Sequence, residues 1–434
     1  MRSILRNGWV CHTREYGHIR LPAKWLFGLF NVGGMNMRGS TFALMITCAA
    51  LMIGSAFAQG IVVPGDSDGD KIVSAEEVAA AEKLAQEGKL SADDLQEIKH
   101  IHEKYPINIT DSANRTVMIY KPIKSIIPMG WSQCEPVFIL GETEKVAGIR
   151  SDLKESYAYI PGLKDKPTIG GWNSIDYEKV IELSPDIVIA SSTDLAKLES
   201  DLHGIPYVIL FRALDEDSNK KDMKTLGKIL EKEERADDFI SWRQKYIDLL
   251  KEKTDKIKPS ERIKVYCEST NHEFYAAAKG GGVNDVISIA GGINIAGNLT
   301  GAPYFVDVSP EWVIKENPEA IIIDASMLND PPESYLNYFA EENAMENLDE
   351  YLRATCNRTA LKNTEAAKKG HIYLIQGNYA EFGRSRGIIG ACYMAKWFHP
   401  ELFNDLDPEK PNKEYFEEWL GAHYNGIWAY PQAS

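Results

Sequence analysis

Six oxygen-bearing positions stand at the spacing of a cation loop in the amino-terminal part of the chain. In Asp66-Ser67-Asp68-Gly69-Asp70-Lys71-Ile72-Val73-Ser74-Ala75-Glu76-Glu77 the side chains of Asp66, Asp68, Asp70, Ser74 and Glu77 take positions 1, 3, 5, 9 and 12 of a twelve-residue loop. Position 7, which supplies a carbonyl, is Ile72. Hard oxygen donors in that order suit Ca2+: three carboxylates, the Ile72 carbonyl, Ser74 directly or through water, and a bidentate Glu77 at the head of the next helix. Val73 falls where such a loop packs an apolar side chain. Lys71 occupies the sixth position, usually Gly because the turn there needs positive φ; a side chain costs about 1–2 kcal/mol, so weakened affinity is expected.

After Gly88-Lys89-Leu90, a second helical stretch runs from Ser91 to His102 without a ligand triad. The unit 59–105 resembles an EF-hand pair or a dockerin-like module with one working loop. Elsewhere no catalytic constellation emerges. There is no GxSxG elbow, HExxH helix or GxxxxGK[ST] phosphate cradle, and Gly280-Gly281-Gly282 lacks the flanks of one, so an enzyme is not expected. A formal net charge of −15 over 434 residues disfavours nucleic acid as a partner. Past Cys11 and Cys48, the cysteines Cys134, Cys267, Cys356 and Cys392 are scattered and match no zinc knuckle.

The elements that would position a site begin near Asn108, where short apolar runs alternate with amphipathic stretches, the pattern of α/β layers. Strands are expected at 125–128, 187–190 and 207–211, and again at 264–267, 321–323 and 371–375. Between the two sets, 222–257 reads as one long helix with an apolar stripe of Leu226, Ile229, Leu230, Phe239, Ile240, Trp242, Ile247 and Leu250. The halves echo one another: 176–189 parallels 309–323, each a capped helix, a proline stop (Pro185, Pro318) and a buried strand. The expected fold is α/β, two Rossmann-like lobes (106–220 and 259–434) joined by one long helix (221–258), with a cleft at the carboxyl ends of the strands. The small helical unit precedes them.

From residue 106 onward the chain resembles the helical-backbone (class III) solute-binding proteins of ABC importers for ferric siderophores, haem and cobalamin. The segments that carry the resemblance are 109–117, Lys166-Pro167-Thr168-Ile169-Gly170-Gly171-Trp172, Ala290-Gly291-Gly292-Ile293-Asn294 and 395–403. The resemblance implies a binding protein with little hinge motion that passes its ligand to a permease powered by an ATPase. It also implies that one exposed glutamate per lobe docks on permease arginines; the echo places these at Glu178 and Glu311. A carboxylate in a first helical turn is also stabilised by the helix dipole alone, by about 0.3–1 kcal/mol.

Side chains just past the expected strands should face the cleft: Trp131, Ser132, Gln133, Trp172 and Arg212 in the first lobe, Tyr275, Lys279, Tyr379, Arg384 and Arg386 in the second. Aromatic faces and guanidinium forks suit a bulky anionic or flat chelate. A bare transition metal would need several converging imidazoles, and only His272 is well placed. The expected ligand is therefore a chelated metal, a ferric siderophore or a corrinoid such as cobalamin, with haem as a further candidate. The expected protein is a monomer. The alternative is a calcium-dependent cell-surface scaffold or adhesion protein.

The apolar run Phe42–Phe57 after Met37-Arg38, closed by Ala56-Phe57-Ala58, reads as a secretory signal peptide at 37–58, with 1–36 an extension ahead of the true start. The run is shorter than the roughly 20 residues that span a bilayer. An exported protein, in the periplasm or on the outer face of the membrane, is expected.

Overall fold

The computed structural model describes residues 61–432, apart from 193, 301–303, 326–332, 342 and 382. The expected extension and signal peptide lie outside the described residues.

The chain opens on helices α1 (Ala75–Gln86) and α2 (Ala92–Lys104). Each starts on a serine: Ser74 forms a reciprocal capping box with Glu77, and Ser91 accepts from the Asp94 amide. Val63, Val73, Ala81, Ile98 and Ile101 are buried and join the main core, so this unit is packed onto the body.

The first lobe begins with the antiparallel pair β1 (Ile107–Thr110) and β2 (Thr116–Ile119). There follow β3 (Ile126–Pro128), α3 (Trp131–Ile139), α4 (Ser151–Ser156), the hairpin of β4 (Gly170–Gly171) and β5 (Ser174–Ile175), α5 (Tyr177–Leu183), β6 (Ile187–Ala190), α6 (Leu195–Leu202) and β7 (Tyr207–Ile209). Strands β3, β6 and β7 form a parallel sheet in that order. Every residue of β6 is buried, as an unbroken apolar run in a sheet covered on both faces requires.

Two helices, α7 (Glu216–Leu230) and α8 (Glu233–Thr254), stand where one was expected. The helix stops because Glu231 takes φ 56, the left-handed conformation of a helix end, and its amide bonds to the Gly227 carbonyl. Gly227 lets the two helices meet: a Cβ there would lie 2.8 Å from the Ala236 Cβ. The apolar stripe is divided between them and buried in the core.

The second lobe comprises β8 (Ile263–Ser269), β9 (Tyr275–Ala277), α9 (Val283–Ile289), β10 (Gly292–Asn294), β11 (Phe305–Asp307), α10 (Pro310–Glu316), β12 (Ala320–Ala325), α11 (Ala344–Cys356), α12 (Glu365–Lys369), β13 (Ile372–Gln376), α13 (Gly377–Ala380), α14 (Gly387–Phe398), α15 (Glu409–Glu414) and β14 (Ala429–Tyr430). Its sheet runs β11-β9-β8-β12-β13-β14, with β10 beside β8. The β10, β8, β12 and β13 ladders are parallel. The echo is structural as well. Helix α5 is capped by Asp176 and ends on left-handed Ser184, and α10 is capped by Ser309 and ends on left-handed Asn317; each then leads through proline into a central strand. Val180 and Val313, at matching places, are both fully buried.

Candidate functional site between the lobes

The loops beyond β3, β7 and β13 meet between the lobes and enclose two chambers. The first, about 480 Å³, is walled by Trp131, Tyr157 and Tyr159 from the first lobe and by Tyr335, Tyr338, Phe339 and Trp428 from the second. Its volume lies in the range of small-molecule sites. Tyr159 and Tyr338 stack across the lobes, with ring centroids 4.3 Å apart and planes at 18°. Asp152, Glu155 and Glu341 line the same chamber.

Arg386, 1 % exposed, stands behind the aromatic wall. Its Nη2 donates to the Tyr159 hydroxyl at 2.7 Å and lies 2.5 Å from Glu135 Oε1 of the other lobe. The rings of Tyr379, Tyr415, Phe416 and Trp428 surround the guanidinium at 5.0–5.6 Å. The Tyr415 hydroxyl donates to Glu135 Oε2 at 3.0 Å. Burial is the largest single influence on Arg386 and opposes its charge, but Glu135 together with Tyr159, Tyr379 and Tyr415 outweighs it and holds the guanidinium well above its ordinary pKa. Burial likewise pushes the Tyr159 hydroxyl up to about 12.

The second chamber, about 740 Å³ and more polar, is lined by Ser112, Ser132, Ser191 and Arg212 from the first lobe, by Lys221 of α7 and by Tyr304, Glu381 and Arg384 from the second lobe. Arg384 pairs with Glu381 and donates across the cleft to Ser132 Oγ at 3.1 Å. The turn 383–386, which carries both arginines, is held from the helices between the lobes. Asn219 Nδ2 donates to the Gly383 carbonyl at 2.8 Å, and Arg243 Nη1 to the carbonyls of Arg384 and Ser385 at 3.1 and 2.7 Å. Gly383 permits the closest approach, since a Cβ there would come within 2.2 Å of the Leu214 backbone.

Of the residues expected in the cleft, Trp131 and Arg386 line the first chamber and Ser132, Arg212 and Arg384 the second. The others are placed differently. Gln133 is buried and donates to the Leu210 carbonyl at 2.9 Å. Tyr379 is fully buried, because the chain turns into α13 past β13 and points its ring at the core, where its hydroxyl donates to Asn412. Tyr275 stacks on His272 and Phe305 at the edge of the sheet, and Lys279 is exposed; neither lines the chambers. Trp172 is 74 % exposed at the tip of the β4–β5 hairpin, outside both linings. That hairpin is tied to α4, on the wall of the first chamber, by Ser151 Oγ donating to the Gly170 carbonyl at 3.2 Å. The missed wall residues, Tyr159, Tyr335, Tyr338 and Phe339, lie in connections without regular period; the aromatic density of 335–339 was their one sequence signal.

Glu178 and Glu311 are both exposed, each one residue into the first turn of its helix. In the amino-terminal loop, carboxylate oxygens of Asp66, Asp68 and Asp70 converge within 4.8 Å. Asp66 accepts from the amides of Gly69 and Lys71 at 2.7 and 3.0 Å, and Lys71 takes φ 70. Glu77 accepts from the Ser67 and Ser74 amides; these bonds, the first above all, hold its carboxyl down at about 2. This all-oxygen donor set fits a hard divalent cation. The four described cysteines are free.

Residues 126–379 match the Periplasmic binding protein family. The chain is 28% identical over 227 residues to the uncharacterized ABC transporter substrate-binding lipoprotein YvrC of Bacillus subtilis, covering 51% of this chain and 69% of that protein. It is 24% identical over 204 residues to the petrobactin-binding protein YclQ of Bacillus subtilis, covering 46% and 63%. The molybdate-binding protein MolA of Haemophilus influenzae is 21% identical over 350 residues, covering 73% and 91%. The molybdate-bound MolA structure shares the fold at a TM-score of 0.60, covering 74% of this chain and 99% of that one. The chain thus belongs to the periplasmic binding protein family, as a non-enzymatic solute-binding component of ABC transporters.

Proposed function

We propose that this protein captures a metal chelate, a ferric siderophore or a corrinoid, in the cleft between its lobes and delivers it to the permease of an ABC importer outside the cytoplasm. The observation that carries this reading is the first chamber, whose opposed aromatic walls can bury a bulky apolar ligand face. Among the described residues, no cluster of imidazoles that would take a bare transition metal lines either chamber. The petrobactin-binding relative favours the same class; the molybdate-binding one makes a small oxyanion the rival. Trp131 and Trp428 flank the chamber and report on it. Saturable quenching of their fluorescence by ferric siderophores, haemin or cobalamin, diminished in Trp131→Phe, supports the reading. Quenching by none of these, with molybdate bound instead, contradicts it.

Glu178 and Glu311 are proposed as the permease contacts, one per lobe, supported by their exposure at echoed positions. Ca2+ is proposed at Asp66, Asp68, Asp70, Ile72, Ser74 and Glu77, supported by the ligand spacing and the convergence of the three aspartates. Limited proteolysis tests it: Ca2+ should protect 60–104, and digestion that is the same with and without chelator contradicts it.

A further inference from the structure

The sequence holds four Asn-x-Thr triads: Asn108-Ile109-Thr110, Asn114-Arg115-Thr116, Asn298-Leu299-Thr300 and Asn357-Arg358-Thr359. A triad of this kind, with no proline in the middle, is the acceptor of N-linked glycosylation in an exported chain. The fold presents all four alike, with the asparagine and the threonine exposed and the middle residue turned inward. In β1 this follows from strand alternation, which buries Ile109 and sends Asn108 and Thr110 out on one face. Arg115 pairs with buried Asp111, Leu299 packs on the second lobe's core, and Arg358 Nη2 donates to buried Glu268 at 3.0 Å. Folding thus uses the residue that the acceptor motif leaves free to vary, and leaves to solvent the two that the motif requires. The side-chain amides of Asn108, Asn114 and Asn298 make no hydrogen bond with any described residue. Asn357 Nδ2 donates to the Arg353 carbonyl at 2.9 Å, which occupies one of its two N–H groups. One triad differs in its surroundings. Asn114 lines the second chamber, whereas Asn108, Asn298 and Asn357 line neither, so a glycan on Asn114 alone would stand in the cleft.

We infer that Asn108, Asn298 and Asn357 are N-glycosylation acceptors and that Asn114 is left bare. The inference rests on the proposed location outside the cytoplasm. The co-substrate is an oligosaccharide carried on a polyprenyl phosphate or diphosphate. Asparagine Nδ2 attacks the anomeric carbon of the first sugar: a C–N bond forms, the C–O bond to the carrier phosphate breaks, and the phosphate leaves with the bonding pair. Nδ2 gives up one proton, and nothing is oxidised or reduced. The product is a secondary amide that keeps one N–H, enough for the bond from Asn357 to the Arg353 carbonyl. Glycans at these three positions leave both chambers open to a ligand.

The test is tandem mass spectrometry of peptides from the protein isolated from the cells that make it, with those cells fractionated. Cleavage before Asp111 puts Asn108 and Asn114 on separate peptides. Expected is an increment of whole sugar residues on the peptides carrying Asn108, Asn298 and Asn357, and the unmodified mass on the one carrying Asn114. Thr110→Val, Thr300→Val and Thr359→Val should each lose the increment at the matching asparagine, while Thr110→Ser, Thr300→Ser and Thr359→Ser keep it. All three threonines are exposed, so the fold should tolerate either change. An increment that survives the valine changes does not come from this reaction and overturns the inference. Bare asparagine at all three positions in protein recovered outside the cytoplasm overturns it while the proposed location stands. Bare asparagine in protein recovered only from the cytoplasm overturns both. A sugar on Asn114 at the same occupancy as the others overturns the distinction drawn from the chamber.

Discussion

Arg386 and Glu135 meet between the lobes with almost no access to water, and the energetics of such a pair are asymmetric. Removing one partner strands a buried charge, at about 3–5 kcal/mol, whereas replacing both with apolar groups costs far less. Arg386→Leu alone should therefore lower the stability read by urea unfolding by that amount, and adding Glu135→Leu should recover much of it. Simple additivity of the two losses would contradict the coupling. Arg386 was legible as a cleft arginine from its place after β13, but its partner was not. Glu135 lies 251 positions away in another lobe, and no local pattern links them. At the cation loop, Glu77 has a folded-state carboxyl lowered from 4.5 to about 2 by the Ser67 and Ser74 amides. A lowered acid stabilises the folded loop above its unfolded pKa and loses that contribution as pH falls through the folded value. Protection of the Ser67 and Ser74 amides, measured as exchange relative to an unstructured chain at the same pH, should hold at pH 5, fall between about pH 4.5 and 2, and lose this acid dependence in Glu77→Gln.

Among the elements, strands were the most legible, because β6 and the first four residues of β12, Ala320 to Ile323, are continuous apolar runs that follow a proline and end on polar residues. The helix break at Glu231 was not, since the apolar stripe continues past it and neither Gly nor Pro marks the turn. Its conformation is set by the packing of α7 on α8, a tertiary effect. The cleft side chains divide in the same way. A position just past a strand fixes which end of the sheet a residue occupies, but not which way it points: Trp131 faces the chamber, while Gln133, two residues on along the same helix, faces the core. Turn 383–386 joins element to site, and Gly383 is its closest contact. Gly383→Ala should push this turn from the Leu214 backbone, lowering stability by about 1–3 kcal/mol and weakening chelate binding, both measurable on one purified variant. Unchanged affinity would show that the turn does not set the cleft.

For the molecule as a whole, the two-lobed α/β architecture was readable from the echo of 176–189 in 309–323, which survives in capping, left-handed helix ends and buried valines. The closure of the cleft was not readable, because its aromatic wall is assembled from connections such as 335–339 whose course depends on the finished fold. Repetition across lobes also gives the docking proposal its test. Glu178→Lys/Glu311→Lys should abolish ligand uptake by cells while leaving binding by the isolated protein intact; normal uptake would remove both residues from the docking surface. The most direct test of the central claim is native mass spectrometry of the purified chain with ferric siderophores, haemin and cobalamin, Ca2+ present. The account predicts a saturable one-to-one complex with one of these chelates, lost when the aromatic wall is broken by Tyr159→Ala/Tyr338→Ala. A folded protein that binds none of them, or binds equally well without that wall, would contradict it.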